Sequence, residues 1–292
     1  MGSPTVARLY ALLSLMVFFW SLNFVIGKIA LREFPALLLA ALRTAIAGAV
    51  IFPIFLARLR RKPAAWSWRD VALLLILGVF GIALNQVFFV LGLGHTSAAH
   101  SAILISMMPV FVLVLASIRG QEKLTVRKGT GLAIAIAGVI VLQGSRHGGD
   151  ASVLGDVYSL LCGVAFAVYT VFGKSVLARH DTVTMNTFAY LGGAVALSPV
   201  IIWNIGRFPF GSVSTTAWLS VAYMAIFSSV ISYLIYSYAL SHIAASRVSA
   251  FSYLQPLGAT LLSIPILGDS ISAPLIAGGA LVLAGVCTTE RG

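Results

Sequence analysis

The sequence predicts an all-α polytopic membrane protein, with ten transmembrane helices arranged as a 5+5 inverted repeat. Three observations predict it. Of 292 residues, 60% are hydrophobic and 9% charged, with a mean hydropathy of +1.02. A soluble domain carries about 25% charged residues, so this chain could not cover its own surface with polar groups. Long apolar runs recur, separated by short polar connections. The two halves of the sequence also resemble each other at a nearly constant offset.

Runs of about 17–25 apolar residues read as spanning helices. They are placed at 8–31, 36–57, 70–93, 97–118, 127–144, 153–177, 183–204, 215–239, 245–267 and 273–289. Pro35, the Arg60-Arg61-Lys62-Pro63 run, Gly148-Gly149-Asp150, and Pro209 with Gly211 punctuate them. The first run, Leu9 to Ala30, is longer than the 7–15-residue core of a cleavable signal, so it reads as a spanning helix. Cys162 and Cys287 lie inside apolar runs without a spaced partner, and read as small core residues.

The net charge of +11 invites a nucleic-acid reading. The basic residues fall between apolar runs, however, and form no groove-reading helix or aromatic-interleaved patch. They alternate by side instead. Thirteen Lys and Arg fall on the side holding both termini, in loops 2, 4 and 6 (Arg58 to Arg69, Arg119 to Lys128, Lys174 and Arg179) and at Arg8 and Arg291. Four fall opposite: Lys28, Arg32, Arg146 and Arg207. The positive-inside rule then puts both termini in the cytoplasm and makes the helix count even. Arg43 and Arg247 are set aside as membrane-embedded.

The repeat runs the length of the chain. Gly27-Lys28 matches Gly173-Lys174, and Pro53 matches Pro199, at an offset of 146. After a one-residue shift, Leu93, His95, Ala98 and Pro109 match Leu240, His242, Ala245 and Pro256. Glu122 matches Asp269, and Gly131 to Val139 matches Gly278 to Val286 at five positions. The domains are drawn as 1–147 and 148–292. An odd number of spans per half forces the second copy into the membrane in the opposite sense, and a site is then expected near midplane between the copies. The glycines and alanines of helices 5 and 10 mark them as packing or dimerising elements away from that site.

The Phe19-Trp20-Ser21-Leu22-Asn23-Phe24 segment, His95 through Pro109 with Glu122, and Ile243 through Pro256 with Gly268-Asp269 resemble the drug/metabolite transporter superfamily, in its EamA-type branch. The resemblance covers essentially the whole chain. It implies a secondary transporter that exports small metabolites, most often amino acids (aromatic or other apolar), across the bacterial inner membrane. It also implies a cavity built from helices 1, 3, 4, 6, 8 and 9. The aromatic amino-acid exporters are the nearest branch. The alternative is an exchanger of anionic metabolites such as sugar phosphates or nucleotide sugars.

Polar groups in hydrocarbon are costly and usually face a cavity or a neighbouring helix. The candidate substrate-binding residues are Trp20, Asn23, Asn85, Gln86, Ser106, Phe166, Tyr169, Tyr233, Tyr236, Tyr253 and Gln255. Asn85 and Gln86 are adjacent, so one is expected to bond a neighbouring helix. The helix 8 serines Ser228, Ser229 and Ser232 are expected to bond their own backbone. Pro109 and Pro256 are candidate hinges, expected as mid-helix kinks. His100 and Arg247 open helices 4 and 9 and are candidate gates. Arg43 is expected to snorkel to the outer interface or to attract a carboxylate, the structural role being preferred. Lys28 and Lys174 suit helix C-termini.

The eight acidic residues all fall at or near segment ends, so no midplane proton relay is expected, and transport is expected to be facilitated diffusion down the substrate gradient or to be driven by another coupling site. No catalytic pairing, phosphate-cradling glycine loop, metal spacing or filter-like loop is visible, which argues against an enzyme, a resident cofactor and a channel. The expected partners are a small-molecule substrate and the lipid bilayer, not nucleic acid. A monomer or weak homodimer is expected.

Overall fold

The computed structural model describes residues 6–61, 67–121, 125–142, 152–269 and 271–290. Among the described residues ten helices follow one another: α1 (Val6–Ala30), α2 (Ala36–Arg61), α3 (Trp68–Gly94), α4 (Ala98–Ile118), α5 (Val126–Leu142), α6 (Val153–Leu177), α7 (Thr182–Asn204), α8 (Thr215–Leu240), α9 (residues 245–267) and α10 (Ala273–Glu290). The described residues contain no strand. Eight helices are long and apolar enough to cross a membrane; α5 and the apolar part of α10 are shorter and lie against each other. Glu122 of the sequence repeat lies outside the described residues.

Five helices are capped at their own starts by the residue that precedes them. Ser67, Ser97, Ser152, Asp181 and Ser214 each accept a backbone N–H from the first turn of the helix that follows. Such caps satisfy donors that would otherwise face an apolar medium. Ser67 and Ser214 are separated by the repeat offset of 147.

The most extensive contacts join one half to the other. α5 packs on α10, α2 on α7, α3 on α6 and α1 on both α8 and α9. Exchanging the halves maps this pattern onto itself: α3–α6 becomes α8–α1, α1–α9 becomes α6–α4, and α2–α7 and α5–α10 become themselves. The glycine prediction for α5 and α10 meets its physical reason here. A side chain added at Gly138 would strike the backbone at Val282 and Gly278, and one at Gly285 would strike the backbone at Ala135 and Gly131. The two contacts are reciprocal, as a two-fold relation requires.

Four helices are irregular, and they fall in repeat-related pairs. α3 contains a π turn at Val79–Leu84 and α8 one at Met224–Ile231. α4 is interrupted at Ser106-Met107, and α9 contains a 3-10 turn at Phe251–Leu254. The expectation of mid-helix kinks at Pro109 and Pro256 needs correction. Each proline sits in the first turn of a new helical segment. There its fixed φ suits the helix and its missing N–H is not needed.

Candidate functional site

Between the halves, α1, α2, α3, α4, α6, α8 and α9 enclose a cavity near the middle of their lengths. It gives about 60 Å³ to the centres of water-sized occupants. That is far below the roughly 300–1,000 Å³ of a site holding a drug-sized ligand. Seven of the sequence candidates line it: Trp20, Asn23, Asn85, Gln86, Phe166, Tyr233 and Gln255.

One wall is aromatic. Trp20, Phe166 and Tyr233 meet edge to face, with ring centroids 5.5–6.0 Å apart. Aromatic pairs prefer this geometry to a face-to-face sandwich because of their ring quadrupoles. Trp20 is fixed further by its indole Nε1, which donates to the Ser228 carbonyl at 2.9 Å. α1 is thereby pinned to the π turn of α8.

The other wall is polar. Asn85 donates through Nδ2 to the Cys162 carbonyl at 3.0 Å and accepts the Tyr233 hydroxyl at 3.0 Å. The Tyr233 hydroxyl also lies 3.1 Å from the Gly81 carbonyl, within the π turn of α3. Asn85 and Gln86 both border the cavity although they are adjacent, and Asn85 is the one that also bonds neighbouring helices. Asn23 Oδ1 is buried and has no hydrogen-bond partner among the described residues.

Arg43 was placed wrongly by its sequence position. It is 2% exposed, buried inside the bundle, and it lines the cavity. Nη2 donates to the Met224 carbonyl at 3.3 Å and to Ser229 Oγ at 3.1 Å, and the group lies 5.6 Å from the Phe89 ring centroid. Nε and Nη1 have no acceptor among the described residues. α2 therefore contributes to the cavity, which the resemblance did not imply. A lone arginine inside an apolar span was the available signal. Phe24, Phe89 and Cys162 also line the space, and as apolar residues in apolar runs they carried no signal.

Four candidates lie off the cavity, each occupied elsewhere. Ser106 donates to the Ile103 carbonyl at 2.6 Å, in the break of α4. Tyr169 bonds Asn186 at 3.1 Å, tying α6 to α7. Tyr236 bonds Thr170 at 2.9 Å, tying α8 to α6. Tyr253 packs with Ala99, Ile103 and Leu275 on the side of α10. The helix 8 serines divide: Ser232 bonds the Phe227 carbonyl in its own helix, but Ser228 bonds the Phe19 carbonyl and Ser229 receives Arg43. Lys174 does more than complement a helix end, reaching the Ile243 carbonyl at 3.2 Å.

The candidate gates differ from each other. His100 is 1% exposed, and its Nε2 lies 2.9 Å from Asp156 Oδ1, with Ser101 and Ser159 bonded beside them at 3.1 Å. These pairs fasten the first turns of α4 and α6. Arg247, its repeat partner, is exposed. Asp156 is thus near a segment end, as read from sequence, yet buried at 4% exposure.

Further contacts join the halves at both ends of the bundle. At the end holding the α1–α2 turn, Glu33 accepts from the Ser214 backbone N–H at 2.7 Å and from its hydroxyl at 2.5 Å. Those two bonds hold the Glu33 carboxyl below the usual carboxylate range, the hydroxyl contributing most. At the opposite end, Arg58 meets Asp181 at 2.9 Å, and Asp70 meets Arg179 at 2.9 Å and His180 at 3.2 Å. Burial pushes the Asp181 carboxyl up, but hydrogen bonds from Thr184 and Arg58 outweigh it and hold the group low.

Eight helices long and apolar enough to cross a membrane, with a polar-aromatic chamber between two related halves, are the architecture of a membrane transporter family. The EamA-like transporter family matches residues 8–143 and again residues 153–290, and the chain belongs to that family. It is 32% identical over 282 residues to an uncharacterized transporter of Archaeoglobus fulgidus, covering 97% of this chain and 98% of that one. It is 29% identical over 232 residues to a probable terminal-alkyne amino-acid exporter of Streptantibioticus cattleyicolor, covering 79% of this chain and 76% of that one. A solved crystal structure shares the fold with a TM-score of 0.70 at 20% identity, covering 98% of both chains.

Proposed function

We propose that the chain exports small metabolites, amino acids with aromatic or other apolar side chains foremost, across the bacterial inner membrane. The observation that carries this reading is the small central cavity, where free polar groups face an aromatic wall. Apolar surface receives the side chain of such a cargo, while amide and guanidinium groups replace water around its charged end. The name of the S. cattleyicolor relative supports the amino-acid class.

The halves, residues 1–147 and 148–292, act as two oppositely threaded units that expose the cavity to one side and then the other. Both termini face the cytoplasm, a reading the Lys and Arg distribution supports. The protein works as a monomer or weak homodimer. Exchange of anionic metabolites such as sugar phosphates gains some support from Arg43. A single guanidinium in so small a space suits one carboxylate better than a dianionic phosphate.

Counterflow in proteoliposomes, using a panel of labelled amino acids with and without a pH gradient, tests the reading. Saturable exchange of apolar amino acids that does not depend on the pH gradient is expected. Accumulation driven by protons would overturn facilitated diffusion, and absence of flux for the whole panel would overturn the cargo class.

A further inference from the structure

We infer that Arg43 is the carboxylate receptor of the cavity, so that the cargo must present a carboxylate to be carried. The inference rests on the transporter reading above and names what that site selects.

Three facts combine. Arg43 is buried within apolar helices and lines the cavity. No carboxylate among the described residues forms an ion pair with it, and none lines the cavity. Its Nη2 is anchored on α8, which fixes the orientation of the group, while Nε and Nη1 keep their hydrogens without acceptors.

A guanidinium stays charged in a protein, so this one cannot relieve its burial by losing a proton. A structural arginine in this setting would be expected to have a partner carboxylate or a full set of carbonyl acceptors. Arg43 has acceptors for one nitrogen only. The missing acceptor is supplied by whatever enters the cavity, and the planar fork of N–H donors matches a carboxylate in geometry and charge.

The rest of the site is consistent with that polarity. Asn23 Oδ1 is an unused acceptor in the same cavity, suited to a donor such as the cargo's amine. The aromatic wall of Trp20, Phe166 and Tyr233 takes the apolar remainder.

The test compares labelled phenylalanine and leucine with phenylalaninamide and leucinamide, in proteoliposomes, with protein-free liposomes subtracted. The amides keep shape and amine and lose only the carboxylate. Wild type is expected to carry the acids and exclude the amides. Arg43→Gln should lower flux of the acids about 10- to 100-fold, the loss of one charge-assisted hydrogen-bonded contact, and Arg43→Lys should recover part of it. Amides carried as fast as the acids, or Arg43→Gln equal to wild type, would overturn the role of Arg43 and leave the transporter reading standing. No flux of either class would sink both. If Arg43→Gln fails to give a monodisperse protein, the wild-type comparison of acid with amide decides alone.

Discussion

The indole of Trp20 joins α1 to α8 by one hydrogen bond and forms one side of the aromatic wall. Trp20→Ala removes both. By analogy with large-to-small changes in packed interiors, it should cost about 3–5 kcal/mol. Thermal unfolding in detergent measures that, and competition by bulkier amino acids measures whether the enlarged cavity has relaxed its selectivity. At this scale the sequence was partly legible. Trp20, Asn23, Asn85, Gln86 and Gln255 stood out because polar or amphipathic groups inside apolar spans need a reason to be there. Tyr169 and Tyr236 stood out for the same reason and were misplaced, because a buried hydroxyl is satisfied as well by a neighbouring helix as by a cargo. Periodicity locates a residue on its own helix; it does not say which helix packs across from it.

Helix boundaries read from hydropathy agree with the structure to within a few residues, since lipid forces each span to satisfy its backbone internally. Departures from regular helix were less visible. The π turn of α8 holds neither glycine nor proline, and that of α3 holds Gly81 just after Gly78, glycines that say nothing about a widened turn, whereas the breaks in α4 and α9 were flagged by Pro109 and Pro256 and only their form was misjudged. The α5–α10 contact yields an element-scale prediction. Gly138→Leu or Gly285→Leu should destabilise the bundle by about 1–3 kcal/mol through overpacking, read as a lower unfolding temperature, while leaving the cavity residues untouched. The Glu33–Ser214 contact yields another. Because the folded carboxyl titrates lower than the free one, the contact is fully present above about pH 4.3 and is lost as pH falls through the depressed value. Amide exchange at Ser214, corrected for its intrinsic rate, should rise at acid pH, and Glu33→Ala should show the same rise at pH 7.

For the whole molecule, the chamber sits between contacts that tie the halves at both ends, and the proposed export requires these to release in turn. Cys162 borders the chamber and Cys287 is exposed, which gives a direct measure. In a Cys287→Ser background, a small membrane-permeant maleimide should modify Cys162 slowly, limited by opening of the bundle, and saturating cargo should slow it further. Labelling at the rate of a free thiol, unaffected by every amino acid tried, would speak against a chamber that opens and closes around its cargo.

The exchange symmetry of the helix contacts bears on how the protein is made. α2, α4 and α5 each find their mate in the second copy, so the first five spans leave the ribosome with faces that nothing in their own half can cover. They must wait in the bilayer, with an unfinished seam lined by Gly131 and Gly138, until α10, the last of the ten to be translated, arrives to close it.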